Sequence, residues 1–321
     1  MPRQSIDNGN NDTTSNNNNN NNNNNEINNN KKKTRRSKKK KNTETLTIVY
    51  SNIQGLTKKK ESLDVIMEEL ECDVCLLAET MVCKAKINGT RCITASKSVG
   101  QNVCIVVRRN VKNNNIVKLY DPNDNANMIG IRIDMVNTSI RIYTAHLKQQ
   151  STNTWDEICN QFEEVRKQFQ NATSSNESVI MIFDANVHVG STCINGCLDK
   201  QDRGGKLLMQ IVEEENLVLL NKEDICAGVV TRVDPRNGKG STIDYAICNQ
   251  FFMSMVCKMT IDVEERYKPT NYASGTKTDH NTIIVELKIE KRYQVKPPPY
   301  VNLKMKREKI SFRDICLMLI A

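Results

Sequence analysis

From Leu46 onward the chain alternates short apolar runs with polar breaks, and most of the runs predict strands. LTIVYSNI (46–53) is rich in β-branched residues and ends at Gln54–Gly55, a strand closed by a turn. In KKKESLDVIMEEL (58–70), Leu63, Ile66, Met67 and Leu70 recur at helical spacing. DVCLLAET (73–80) is almost continuously apolar and of strand length, which predicts a strand buried on both faces. Further strands are expected near 87–95 and 102–108. MIGIRIDMV (128–136) and SIRIYTAHL (139–147) both alternate and meet at Asn137–Thr138, a hairpin pattern. Trp155, Ile158, Phe162, Val165 and Phe169 form one stripe of a helix over about 153–170. ESVIMIFDAN (177–186) predicts a buried strand, and GKLLMQIVEEENL (205–217) a helix running into VLLN. STIDYAIC (241–248) and NTIIVELKI (281–289) complete the strands. Helices interrupt the strands irregularly, unlike the regular alternation of a doubly wound sheet. The pattern predicts an α/β (α+β) fold, a two-sheet core with helices outside.

Composition divides the chain. Sixteen of the first 30 residues are Asn, with an unbroken run from Asn16 to Asn25. Such a tract has nothing apolar to bury and cannot offset the entropy of ordering. KKKTRRSKKKK (31–41) then carries nine positive charges. Pro297 to Pro299 force an extended segment in a basic stretch after the last strand. The expected organisation is a disordered segment over 1–45, a folded domain over 46–290, and a basic, proline-containing tail over 291–321.

The net charge of +9 belongs to the flanks, because residues 42–290 hold 28 basic and 32 acidic side chains. A mildly acidic domain disfavours passive phosphate binding and suits a site that takes a metal first. The basic run reads as a nuclear-localisation or nucleic-acid-attracting segment in preference to a solvated tail, although it lacks interleaved aromatics for base stacking. No apolar h-region follows Met1 and no apolar run reaches 18 residues, so neither a secretory signal nor a membrane span is expected. The 12 cysteines fall mostly inside apolar runs such as VCLLAE and NVCIVV and read as reduced core residues of a nuclear or cytoplasmic protein. Cys72 and Cys75 form a C-x-x-C with no second pair at zinc-ribbon spacing, so no structural zinc is expected.

Candidate chemistry gathers where strands end. Asn52 closes the first, Glu79 follows the next, His146 closes the hairpin strand, and Asp184 and Asn186 close VIMIF. Asp244 lies inside STIDYAI, and Asp279 and His280 precede the last strand. So many ionisable groups at buried strand ends imply a shared partner, and carboxylates with amide oxygens suit a hard cation, Mg²⁺ or Mn²⁺.

These motifs occur in the order SNIQGL (Asn52), LLAET (Glu79), Asp184-x-Asn186, Ser241-Thr-Ile-Asp244-Tyr and Thr278-Asp279-His280. The chain thereby resembles the endonuclease/exonuclease/phosphatase superfamily, and most of all the AP-endonuclease-type domain of non-LTR retrotransposons. DRGGKLLMQIVEEENLVLLN (202–221) and STIDY favour that branch. The resemblance covers about residues 46–290. It implies a four-layer α/β sandwich of the DNase I type, two mixed sheets face to face with helices outside. It also implies metal-dependent phosphodiester cleavage, with DNA favoured over RNA as partner. Carried over residue by residue, Glu79 steadied by Asn52 would hold the cation and Asp279 could complete its shell. Asp184 would accept the proton of the attacking water and Asn186 would orient that water. His280, fixed by Asp244, would donate to the phosphoryl oxygen. Tyr143 or His146 would stabilise the leaving group, and His188 reads as a loop residue near the site.

The chain departs from the family pattern at several positions. Phe183-Asp184-Ala185-Asn186 replaces Gly-Asp-Phe-Asn, Tyr143-Thr-Ala-His146 lacks the proline of Tyr-x-Pro, and Arg232 follows Thr231 where Trp is usual. His146 stands where the DNase I and sphingomyelinase branches carry a histidine. Two other functions remain open: a phosphatase or phosphodiesterase of the same fold acting on a lipid or inositol phosphate, and a nucleic-acid-binding module with a decayed site. The sequence does not indicate an oligomeric state. FRDICLMLIA at the end suggests a truncated element product whose nuclease domain ends near Glu290, or alternatively a final short helix docked on the core.

Overall fold

The computed structural model describes residues 43–82, 84–94, 102–108, 111, 116–119, 127–135 and 139–290. The expectations for the Asn-rich segment, the basic run and the proline-containing tail fall outside them.

β1 (Thr43–Asn52) lies inside a seven-stranded sheet. It runs parallel to β2 (Val74–Ala78) and antiparallel to β17 (Ile283–Glu290). Beyond β2 come β4 (Cys104–Arg108) and the edge strand β3 (Thr90–Thr94). Beyond β17 come β14 (Val256–Ile261) and β10 (Cys226–Ala227). The second large sheet has the order β5 (Ile116–Leu119), β6 (Met128–Asp134), β7 (Ser139–His146), β8 (Ser178–Asp184), β13 (Asp244–Cys248), β9 (Val218–Leu219). Both sheets mix parallel and antiparallel pairs. Two short hairpins complete the strands: β11 (Arg232–Val233) with β12 (Gly240–Ser241), and β15 (Thr270–Asn271) with β16 (Thr276–Lys277).

Alternation along each strand sorts the side chains into layers. In β1, Leu46, Ile48 and Tyr50 join a core shared with Ile129, Ile131, Ile180 and Ile182 of the other sheet. Val49 and Ile53 face the opposite way, into a cluster with Leu63 and Met67 of α1 (Lys60–Glu69). In β8, Val179, Met181 and Phe183 face outward onto α2 (Trp155–Ser174) and α3 (Arg203–Glu214). β8 is buried along its whole length, which explains its unbroken apolar run. The order is helix, sheet, sheet, helices, the four-layer sandwich expected. The Thr154–Glu157 capping box starts α2, and the short α4 (Gln250–Met253) lays Phe252 into the inter-sheet core.

STIDYAIC does not form one strand. Thr242 and Ile243 leave the ladder, and β13 begins at Asp244. Polar ties take the backbone out of pairing: Thr242 N donates to Asp199 Oδ2, while Ile243 N and Asp244 N both donate to Thr231 Oγ1. Asn221, the last residue of the VLLN run, grips β13 from the side. Its Oδ1 accepts from Ala246 N at 2.9 Å and its Nδ2 donates to Asp244 O at 3.2 Å. The ten described cysteines are free, and five of them are buried. No helix among the described residues is long and apolar enough to cross a membrane.

The glycine pair in DRGGK is dictated by a close approach. A Cβ on Gly205 would lie 1.9 Å from the His188 carbonyl oxygen, and one on Gly204 2.4 Å from a Val187 methyl. Gly205→Ala is therefore expected to destabilise by about 1–3 kcal/mol, the usual cost of overpacking, read as a lowered Tm. It should also disturb the loop after β8, which carries Asn186.

Candidate active site

One edge of the sandwich collects the polar strand ends. β1 and β2 are parallel and end level, with Asn52 opposite Ala78 and Glu79 next in the chain. β7 and β8 are parallel in the other sheet and end level, with His146 opposite Asp184. β13 runs against β8, so its first residue, Asp244, lies opposite Asp184. β17 runs against β1, so Asp279 and His280 arrive at the same edge just before it starts.

Asn52 is the hub. Its Nδ2 donates to Glu79 Oε1 at 2.8 Å and Asp184 Oδ2 at 3.0 Å and lies 3.5 Å from His280 Nε2. His280 Nδ1 meets Asp244 Oδ2 at 2.8 Å, which turns Nε2 toward Asp184, 3.9 Å away. The other Asp244 oxygen accepts from the Tyr50 hydroxyl at 2.9 Å. His146 Nε2 lies 3.3 Å from Glu79 Oε1, 3.8 Å from Asp184 Oδ2 and 3.5 Å from Asn186 Nδ2. Asn186 is fixed by its own N–H on Asp184 Oδ1 (3.0 Å) and by its amide on the Leu147 carbonyl (2.8 Å).

Three non-glycine residues of this rim hold left-handed backbone: Gln54 (φ 47°), Glu79 (φ 50°) and Asn186 (φ 51°). Such strain persists only where the surroundings over-determine it, and it clusters at functional sites. The turn after β8 forms without the family's glycine. Phe183 is fully buried beneath the outer helices, and Asn186 supplies the left-handed residue.

Electrostatics separates the carboxylates. Burial pushes Asp184 up, the neighbouring Asp244 adds to this, and the result is about 6. Burial also opposes ionisation of Glu79, but hydrogen bonds from His146 and Asn52 outweigh it and hold its carboxyl at about 2. Burial lowers His280, yet the charge and hydrogen bond of Asp244, with Asp184 and Asp279 behind, raise it to about 9. His146 is raised as well: against burial, its hydrogen bond with Glu79 and the charge of Asp184 win.

The donor set fits a divalent cation. Glu79, His146 and Asp184 can converge on one point, and Asp184, Asp244 and His280 on another. Asn52 Oδ1 is buried without a hydrogen-bond partner, on the same side chain whose Nδ2 meets Glu79 and Asp184. Even with both imidazoles charged, Glu79, Asp184, Asp244 and Asp279 leave an excess of negative charge for a cation to neutralise.

Two residues from the sequence reading stand apart. Tyr143 is not brought to the cluster: three positions before His146, it faces the opposite side of β7 and packs over Gly130 among residues beneath the outer helices. Asp279 reaches the edge of the cluster, with Oδ1 3.6 Å from His280 Nε2. Both its oxygens are engaged elsewhere, Oδ1 by Gln54 Nε2 at 2.5 Å and Oδ2 by Arg232 Nε at 3.0 Å. His188 lies in an adjoining pocket with Asp199 and Asp202. Sequence reasoning missed Tyr50, Gln54 and Arg232. Tyr50 alone had a local signal, lying two positions before Asn52 on the same face.

No family profile and no curated protein matches the chain. Solved structures do. The endonuclease domain of TRAS1, a telomere-specific non-LTR retrotransposon, aligns at TM-score 0.55 with 18% identity over 78% of this chain and 99% of its own. The 3′-5′ exonuclease NExo from Neisseria meningitidis aligns at TM-score 0.60 with 13% identity, covering 75% and 99%. The AP endonuclease LMAP from Leishmania major aligns at 0.57 with 15% identity, covering 76% and 88%. The chain has the fold of the endonuclease/exonuclease/phosphatase superfamily, as its motifs led one to expect.

Proposed function

We propose that this protein is a Mg²⁺- or Mn²⁺-dependent phosphodiesterase that nicks DNA and derives from, or forms part of, a non-LTR retrotransposon. The observation carrying this reading is the convergence of Asn52, Glu79, Asp184, Asp244 and His280 on one edge of a sandwich shared with nucleases. A likeness to a zebrafish TDP2 bound to a single-stranded DNA product (TM-score 0.52, 15% identity, 76% and 98% covered) supports nucleic acid as the substrate class.

Glu79 and the free Oδ1 of Asn52 would hold the cation, with Asp184 within reach. When bound, the ion supplies positive charge to the phosphoryl oxygens and the leaving oxygen. Asp184, raised to about 6, is close enough to neutrality to take a proton from a water, and Asn186 beside it orients that water. His280, held cationic by Asp244, presents Nε2 as a donor to the phosphoryl oxygen. His146, rather than the distant Tyr143, serves the leaving oxygen. The basic run at 31–41 adds a salt-sensitive attraction to the DNA backbone and directs the protein to the nucleus.

A second reading, a phosphatase or phosphodiesterase of the same fold on a small or lipid phosphate, draws on His146 at the centre of the cluster. One experiment tests both. Closed circular plasmid is incubated with the full chain and Mg²⁺, Mn²⁺ or chelator, alongside a phosphate-release assay on inositol phosphates. Conversion to open circles only with a divalent ion supports the nuclease. Phosphate release without nicking supports the second reading, and inactivity in both assays would leave a binding module.

A further inference from the structure

Tyr50 reaches across the space between the two large sheets. It is fully buried on β1, and its ring belongs to the inter-sheet core. Its hydroxyl donates to Asp244 Oδ1 of the other sheet at 2.9 Å. Asn52, two positions further along β1 and on the same face, donates to Asp184 Oδ2 at 3.0 Å. Asp184 and Asp244 lie opposite one another on β8 and β13. One strand of the first sheet is thus pinned to two adjacent strands of the second by side chains two residues apart.

Both backbone polar atoms of Asp244 and both its carboxylate oxygens are engaged. Its N–H donates to Thr231 Oγ1 at 3.0 Å, and its carbonyl accepts from Asn221 Nδ2 at 3.2 Å. Oδ2 meets His280 Nδ1 at 2.8 Å, and Oδ1 takes the phenol. The two backbone ties place the carboxyl group without setting its rotation, because the torsion at a planar terminal group is broad. The contacts on the two oxygens set it. A phenol keeps its proton at neutral pH, so Tyr50 is a standing donor.

We infer that Tyr50 is a positioning residue for His280: by holding Asp244 Oδ1 it fixes the plane of the carboxylate, so that Oδ2 keeps the imidazole turned with Nε2 into the cluster. This rests on the phosphodiesterase reading for the reaction it serves, and on the geometry alone for the orientation. Packing does not call for the hydroxyl, since a phenylalanine ring would fill the same apolar core. A phenol that merely satisfied a buried charge would matter to stability and leave the turnover of folded protein alone.

The test compares the full chain with Tyr50→Phe in nicking of closed circular DNA with Mg²⁺, with a thermal melt to give the folded fraction. The His280 ring is followed by NMR after ¹⁵N labelling of histidine, of which the chain has three. Tyr50→Phe should lower kcat roughly tenfold, the scale of one hydrogen bond to a charged group, with KM almost unchanged. In the His280→Ala background it should cost almost nothing more, because it acts only through the imidazole. The His280 Nδ1 proton signal should shift or broaden. The inference is overturned if folded Tyr50→Phe turns over at the native rate with only its Tm lowered. It is also overturned if the substitution costs as much with His280→Ala as without it. Should Tyr50→Phe not fold, Tyr50→Phe/Asp244→Asn, which leaves no charge unanswered, is set beside Asp244→Asn. Equal rates then support the inference, and a further loss of roughly tenfold sinks it. If the wild type cleaves no phosphodiester, the nuclease reading fails by itself and the ring signal decides: changed in Tyr50→Phe, the positioning role stands, and unchanged, it falls.

Discussion

Under the proposed metal-dependent cleavage, Glu79→Gln is expected to lower the rate by roughly a thousandfold or more while the protein stays folded. The carboxyl is held at about 2, so at neutral pH the native side chain is a full negative charge at the mouth of the cluster. Glutamine keeps its length, and its Oε1 can still accept from Asn52 Nδ2, so the packing of the strand ends is retained. What would be lost is the charge that draws the proposed cation, and metal stabilisation of phosphoryl transfer contributes several kcal/mol, each ~1.4 kcal/mol being a factor of ten in rate. Nicking rates across a Mg²⁺ titration, beside a thermal melt, check this. A variant that cuts at the native rate removes Glu79 from the metal site.

With His280 as the proposed donor, His280→Ala is expected to lower kcat by about a hundredfold or more, the usual cost of losing one preorganised donor. The imidazole is almost fully buried between Asp244 and Asp184, where a donor is worth more than in water. Stability falls too, because Asp244 keeps the Tyr50 hydroxyl but loses its counter-charge, and breaking a buried pair from one side costs about 3–5 kcal/mol. Single-turnover rates on the folded fraction separate the two effects. A Tm lowered with unchanged turnover would make His280 a structural counterion only.

The apolar pattern of this chain carried the fold because layer assignment is local. Period-two alternation in 46–53 decides that Ile48 and Tyr50 face one way and Val49 the other, whatever the partners are. The continuous run in β8 likewise announced a strand covered on both faces. STIDYAIC misled for the opposite reason. Its composition favours a strand throughout, yet Asp199 and Thr231, remote in sequence, claim the backbone donors of Thr242, Ile243 and Asp244.

Most of the candidate site was legible as a set of residues and not as a network. Glu79, Asp184, Asp244 and His280 stood out because ionisable groups at the ends of apolar strands need a shared partner, and Asn52 stood out as the polar residue that closes the first strand. Tyr143 was misread from the motif around it. In a strand that continues to His146, residues three apart face opposite sides, so Tyr143 could not join the imidazole. Arg232 showed only as a departure from the family pattern and Gln54 only as a turn residue, since each acquires its partner only from Asp279, contributed from just before the last strand.

The sequence by itself determined the alternation of the strands, the helix stripes and the identity of the groups that must share a charge partner. Each of these depends on spacing within a few residues or on the cost of burying a charge. Tertiary structure alone decided which carboxylate meets which base. It pairs Asp184 with Asp244 through an antiparallel register, turns His280 toward Asp184 by tethering its other nitrogen, and engages Asp279 with Arg232 and Gln54. Those choices depend on where strands far apart in the chain come level with one another, and hydrophobic periodicity fixes the faces of a strand without fixing its neighbours.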